Sequence, residues 1–131
     1  MLGLTIQNKG VMKTCLATDC MQVMGLDDGV YESLGLRVRL DRGRLSLAND
    51  PGTLAGSVLT MDRAVANMVT MVGVSLSDAV TMASTAPATV LGLENRKGRI
   101  EAGYDADIAV LDHLYNTVLT VVRGKIVHST L

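Results

Sequence analysis

Two hydrophobic periods run along the chain, and they divide it. Leu36, Val38 and Leu40 alternate with Arg37 and Arg39; after the reversal Asp41-Arg42-Gly43, Leu45 and Leu47 alternate with Arg44 and Ser46. A repeat of two belongs to a half-buried strand, so this stretch predicts a hairpin with arginines on its wet face. From Met61 the repeat changes. Met61, Ala64, Val65, Met68, Val69 and Val72 share one face of a helix, with Thr60 as its N-cap and Gly73 as its stop. Methionines at that spacing are core material. Ser75-Leu76-Ser77-Asp78 fits a capping box, and Leu76, Ala79, Val80 and Ala83 line one face of the helix that it opens. Pro87 suits the first turn of a short helix over 88–91, which Gly92 ends.

Beyond Gly92 the helical period disappears. Residues 98–103 read as a strand and turn, 108–111 as an apolar strand, and 118–122 with 125–128 as a second hairpin around Arg123-Gly124. A helical middle thus gives way to a β tail, with a boundary near residue 95. At the other end, residues 1–11 read as a polar, glycine-containing lead-in and 25–31 as a turn-rich loop. Asn49-Asp50-Pro51-Gly52 closes the hairpin region, and Thr53-Leu54-Ala55-Gly56-Ser57 follows as a loop of small residues.

The stretch Cys15-Leu16-Ala17-Thr18 reads as a short apolar strand with Asp19 at its C-terminal end. In parallel α/β architectures chemistry collects at that end, because the loops leaving it form the open face of the sheet or barrel. On residue type alone Asp19 fits a turn or helix-cap residue better than a catalytic one. The arginines of the hairpin have two readings as well: a solvated face, which the pattern favours, or an anion site.

Composition sharpens this picture. The chain has 131 residues, enough for one domain, and is 48% hydrophobic, with a mean hydropathy of +0.31. It has no Trp, no Phe and three Tyr, so Leu, Val, Ala and eight Met must build the core that rings usually supply. Much of this apolar surface is then expected to face protein that lies outside the chain. A net charge of −1 provides no field for nucleic acid or an anionic membrane, and neither is expected as a partner. No apolar run approaches the roughly 20 residues of a membrane span, and Met1 to Met12 lacks the blocks of a signal peptide. Cys15 and Cys20 complete no zinc pattern and read as free thiols of a reducing, cytoplasmic setting.

Three motifs then occur in order: Leu16-Ala17-Thr18-Asp19; Gly52-Thr53-Leu54-Ala55-Gly56-Ser57-Val58-Leu59-Thr60-Met61; and Lys97-Gly98-Arg99-Ile100-Glu101-Ala102-Gly103-Tyr104-Asp105-Ala106-Asp107-Ile108-Ala109-Val110-Leu111-Asp112. Together they resemble the C-terminal part of the N-acetylglucosamine-6-phosphate deacetylases, a family of the amidohydrolase superfamily. The resemblance implies an α/β fold: the C-terminal portion of a metal-dependent hydrolase (β/α)8 TIM barrel plus the C-terminal strands of a small β-sandwich. Residues 1–95 would be the last strand and closing helices of the barrel, with a β-hairpin insertion near 35–48, and 96–131 the sandwich strands.

The resemblance also implies chemistry. The family removes the acetyl group of N-acetylglucosamine 6-phosphate, giving glucosamine 6-phosphate and acetate. Asp19 matches the carboxylate that takes a proton from the attacking water and returns it to the leaving amine. Leu54, Ala55 and Gly56 match the loop that lies against the sugar. The family's divalent metal, zinc or similar, is held by a Glu and two His on earlier strands. His113 and His128 sit in the β tail, so no metal is expected on this chain, and in isolation it is expected to be inert. Asp105, Asp107 and Asp112 match structural residues of the family. A phosphorylated N-acetyl amino sugar is the expected ligand of the complete enzyme. Exposed strand edges and helix faces predict a homo-oligomer. Two other readings stay open: an amidohydrolase acting on a different amide, and a non-catalytic binding or oligomerisation module.

Overall fold

The computed structural model describes residues 1–131. The chain divides into two compact units, Met1–Ala17 with Met61–Leu131, and Thr18–Thr60. Residue 95 therefore falls inside the first unit. The sheets are small and antiparallel: four strands in the order β1-β2-β3-β4 and three in the order β5-β6-β7. The α/β reading holds at that level, but no closed barrel sheet is built from these residues.

In the first unit the chain opens with helix α1 (Leu2–Lys9), where the sequence pattern predicts a lead-in. Gly10, at φ 82°, ends it, and Ile6 packs against the unit's core. Helix α2 (Met61–Asn67) widens into a π turn over Met68–Val72, and Gly73, left-handed at φ 81°, stops it where the period predicted. The buried stripe is Ala64, Val65 and Met68. Helix α3 (Leu76–Ala83) carries the predicted cap, Ser75 Oγ accepting from Asp78 N at 3.1 Å. Its inward face is turned from the predicted one. Ala79 and Met82 are fully buried, whereas Leu76 and Val80 are exposed, and Val80 lines an apolar cleft of about 440 Å³. Helix α4 (Thr85–Val90) starts two residues before Pro87, which keeps the proline in the first turn, where its missing N–H leaves no bond unmade.

The segment 15–18 is extended but joins no ladder. Leu16 N donates to Met82 O at 2.9 Å, and the first bridge is Cys20 to Ser57, in the parallel sense. A lone extended segment with no strand beside it cannot form the sheet predicted for it. Residues 98–103 are turns, not a strand. Gly98, at φ 87°, lies where a Cβ would stand 2.9 Å from Thr85 Cα, and its carbonyl accepts from Thr85 Oγ1 at 2.7 Å. This close approach bends the chain onto the start of α4.

Strands β5 (Ile108–Leu111), β6 (Thr117–Val122) and β7 (Lys125–Ser129) follow as predicted. Arg123 and Gly124 at the β6–β7 reversal both have positive φ, 49° and 76°, the type I′ geometry that matches strand twist. Asp107 Oδ1 accepts from Arg123 N at 2.8 Å, while its other oxygen bonds Lys97 Nζ. Lys97 also meets Asp105 at 2.9 Å, and Arg96 meets Asp105 at 2.8 Å. Asp112 closes its own turn by accepting from Leu114 N, Asn116 N and Asn116 Nδ2.

In the second unit the predicted hairpin becomes a four-stranded meander: β1 (Gly29–Ser33), β2 (Leu36–Asp41), β3 (Arg44–Leu47) and β4 (Asp50–Leu54). The loop and turn expected on either side supply the outer strands. Alternation holds over most of the hairpin: Val38, Leu40 and Leu45 are buried with Val23 and Ala55, and Arg37, Arg39 and Arg44 are exposed, but Leu36 at the start of β2 is exposed and Ser46, expected on the wet face, is buried. No helix of the chain is long and apolar enough to cross a membrane.

The charge cluster around Lys97 sets an acid limit. Hydrogen bonds from Lys97, then Arg96, hold the Asp105 carboxyl below its ordinary pKa. Lys97, then the Arg123 amide, does the same for Asp107, and Asp107, then Asp105, raises Lys97. A lowered carboxylate contributes stability that is complete above its unfolded pKa of about 3.9 and is lost as pH falls through the folded value. The raised lysine contributes below about pH 10.4 and loses that only as pH rises through its folded value. Urea unfolding is therefore expected to show stability falling as the pH drops below about 4. Asp107→Asn, which keeps an acceptor but loses the charge, should lower the midpoint at pH 7 and flatten that acid slope. An unchanged slope would contradict the assignment.

Candidate active site

The second unit brings together two sequence motifs that lie far apart along the chain. Behind them is an apolar floor of Val23, Val38, Leu40, Leu45 and Ala55, with Met21 and Val58 packed against it. Because Met21, Val23, Ala55 and Val58 flank the two segments, burial pins both. Between these anchors the residues are small and their main chains touch.

Asp19 is exposed and sits at φ 49°, in the left-handed region that Asp tolerates better than most residues. Its carbonyl accepts from Ser57 N at 2.9 Å, and Met21 N donates to Ser57 O at 2.8 Å. Ser57 Oγ donates to the Thr18 carbonyl and accepts from Leu59 N at 3.1 Å. Gly56 makes the approach feasible. At φ 87°, it lies where a Cβ would stand 2.6 Å from Met21 Cγ and 3.2 Å from Asp19 O, so both conformation and space demand glycine.

The three residues expected against a sugar are placed differently from one another. Leu54 ends β4 with its side chain 64% exposed. Ala55 is buried, its methyl in the floor and its amide bonded to Leu45 O at 3.2 Å. Gly56 offers bare backbone. The strand that leads here is shaped by Asp50, which accepts from Thr53 Oγ1 at 2.6 Å and Gly52 N at 3.1 Å. Those two bonds, Thr53 first, hold its carboxyl below the usual range.

The acids of the β tail play another part. Asp105, Asp107 and Asp112 are each tied to neighbouring cations or amides, and His113 and His128 are exposed in the other unit. Nowhere do three His, Cys, Asp or Glu side chains converge as a metal would need. The donor set present therefore does not fit a divalent metal. What the site holds is one solvent-facing carboxylate on a fixed main chain beside a loop of small residues. That arrangement suits a proton acceptor and donor. Sequence motifs locate Asp19 and the loop. They miss the grip of Ser57 on the aspartate's backbone, for which the adjacent Gly56-Ser57 pair is the sole local sign.

Comparison with known proteins gives a consistent result. Residues 7–127 match the model of the amidohydrolase family. N-acetylglucosamine-6-phosphate deacetylase of Bacillus subtilis is 41% identical over 118 residues, covering 90% of this chain and 29% of that protein. A putative N-acetylgalactosamine-6-phosphate deacetylase of Escherichia coli K12 is also 41% identical, covering 85% of this chain and 65% of that protein. Among solved structures, the N-acetylglucosamine-6-phosphate deacetylase of Pasteurella multocida superposes with a TM-score of 0.89 at 30% identity. The match covers 98% of this chain and 33% of that one. A mutant of the Mycobacterium smegmatis deacetylase, in complex with N-acetyl-D-glucosamine-6-phosphate, gives the same TM-score at 33% identity over 98% of this chain and 34% of that one. The chain thus spans about a third of the length of most of the relatives it matches.

The packing at Gly56 makes a direct prediction. Gly56→Ala adds left-handed strain and a methyl against Met21, together expected to cost about 2–4 kcal/mol of unfolding free energy. Gly103→Ala, whose Cβ would meet nothing within 4 Å, carries the strain alone and should cost less. Urea denaturation reads both; equal midpoints for the two variants would contradict the close approach.

Proposed function

This chain belongs to the amidohydrolase family, and from that premise we propose that it is the C-terminal part of a deacetylase of N-acetylglucosamine 6-phosphate. In this reading 12–19 is the last strand of a (β/α)8 barrel, the helices over 60–92 close it, and 96–131 supplies sandwich strands. The observation that carries the proposal is the hydrogen-bonded contact between Asp19 and the Gly56-Ser57 bend. It joins the two motifs that the deacetylase reading needs in one place. The names and structural likeness of the relatives support the same assignment.

Asp19 is the proton carrier. Its carboxylate takes a proton from the water whose oxygen adds to the acetamide carbonyl carbon. It then delivers that proton to the sugar nitrogen as the carbon–nitrogen bond breaks, leaving acetate and the free amine. An amine cannot leave as its anion at neutral pH, so one carboxylate within reach of both atoms serves twice. Leu54 supplies an apolar wall, and the main chain of Ala55 and Gly56 allows close approach of a sugar. A divalent metal, zinc or similar, belongs to the complete polypeptide and would find its ligands outside these residues. When bound, it would polarise the acetamide carbonyl and make the attacking water more acidic. We place the enzyme in the cytoplasm, acting as a homo-oligomer whose exposed strand edges are covered by other protein.

A second reading keeps the reaction and changes the sugar to N-acetylgalactosamine 6-phosphate, because a relative of that name is as similar as the first. Assays of the full-length polypeptide on both phosphorylated sugars and on unphosphorylated N-acetylglucosamine separate these. Asp19→Asn in that polypeptide should lower kcat by about 10²–10⁴-fold with KM little changed. Undiminished turnover would remove the catalytic role and leave a binding or oligomerisation module. The isolated 131-residue chain with added zinc should show no turnover, and measurable deacetylation by it would refute that expectation.

A further inference from the structure

We propose that the Ser57 hydroxyl is the positioning residue for Asp19, setting the direction of its carboxylate by holding the peptide unit just before it. The catalytic part of this inference rests on the deacetylase reading; the conformational part does not.

In an extended strand, successive carbonyls point to opposite sides. Here the carbonyls of Thr18 and Asp19 both point to one residue, Ser57. Two adjacent carbonyls can do so only if the chain turns sharply between them, and the turn is the φ of 49° at Asp19. The bonds from Ser57 N to Asp19 O and from Met21 N to Ser57 O are main-chain bonds that any residue but proline could make at 57. The bond to Thr18 O is different, because it needs a side-chain donor one carbon from the backbone. The amide of Leu59 donates to the same Oγ at 3.1 Å, which commits the hydroxyl hydrogen to Thr18. The hydroxyl is therefore a single-orientation strut, and Gly56 lets it stand close enough to work.

Without the strut, the peptide between Thr18 and Asp19 is free to rotate toward ordinary extended geometry. Asp19 then leaves the left-handed region, and the bond from its Cα to its side chain swings with it. A displacement of about 1 Å at a proton-transferring group is enough to cost about 10²-fold in rate. Substrate binding through Leu54 and the Gly56 backbone lies outside that change, so the loss falls on kcat.

The test uses Ser57→Ala, Ser57→Cys and Ser57→Thr in the full-length polypeptide, with kcat and KM on N-acetylglucosamine 6-phosphate and the Asp19 φ angle read from crystal structures. Ser57→Ala should lower kcat by about 10- to 100-fold with KM within about threefold, and Asp19 should move to negative φ. Ser57→Cys, nearly isosteric with a weaker donor, should fall between Ser57→Ala and the wild type, and it keeps the test decisive if Ser57→Ala does not fold. Ser57→Thr restores the hydroxyl and should recover most of kcat. Wild-type kcat in Ser57→Ala or Ser57→Cys, or an Asp19 that keeps its positive φ, overturns the proposal. If the wild-type polypeptide turns over none of the sugars, the deacetylase reading fails, and the φ of Asp19 in the variants still decides the conformational claim.

Discussion

The second unit depends on one bend of the chain, at Gly56-Ser57, meeting one kink, at Asp19. Three hydrogen bonds link Ser57 to Thr18, Asp19 and Met21, and an absent Cβ at Gly56 gives them room. Burial drives the two segments together: Met21 and Val23 on one side and Ala55 and Val58 on the other belong to the same apolar cluster. Hydrophobic packing is non-directional, so it brings the segments near without fixing an angle. Hydrogen bonds fix the angle. The outcome is an exposed carboxylate on a main chain that cannot easily turn.

Acidic residues elsewhere show what makes Asp19 different. Asp105 and Asp107 share Lys97, and Asp107 also seats the β6–β7 turn. Asp112 folds over its own turn, Asp50 organises β4, and Asp62 accepts from Thr117 Oγ1 at 3.0 Å, tying α2 to β6. Each of these carboxylates spends its lone pairs on the fold. Asp19 is held by its backbone instead.

Much of the fold was legible because period is a local property. The strands across 36–47, the helix that starts at Met61 with its buried Ala64, Val65 and Met68, and the Ser75 cap all appear where the sequence placed them, although Leu36 and Met61 are exposed and Ser46 is buried. The misses share a cause. Helix α1 lacks a strong stripe and rests on packing against residues far along the chain. Strands β1 and β4 exist because the hairpin offers them edges, and 98–103 is bent by α4. The expected strand at 15–18 lacks a neighbour to pair with. At the candidate site, motifs singled out Asp19 and the small-residue loop, and the two segments meet through Ser57. The left-handed backbone of Asp19 and the strut from Ser57 were not, because a tertiary hydrogen bond leaves no periodic trace.

In the proposed enzyme the Asp19 carboxylate reaches the scissile amide from beside the Gly56-Ser57 bend. A crystal structure of the full-length polypeptide with a non-hydrolysed analogue of N-acetylglucosamine 6-phosphate tests it most directly. An Asp19 carboxylate oxygen is expected about 3 Å from the amide nitrogen or from a water beside the carbonyl carbon, with Leu54 and Gly56 against the sugar. A carboxylate turned away from the amide, with no water linking the two, would contradict it.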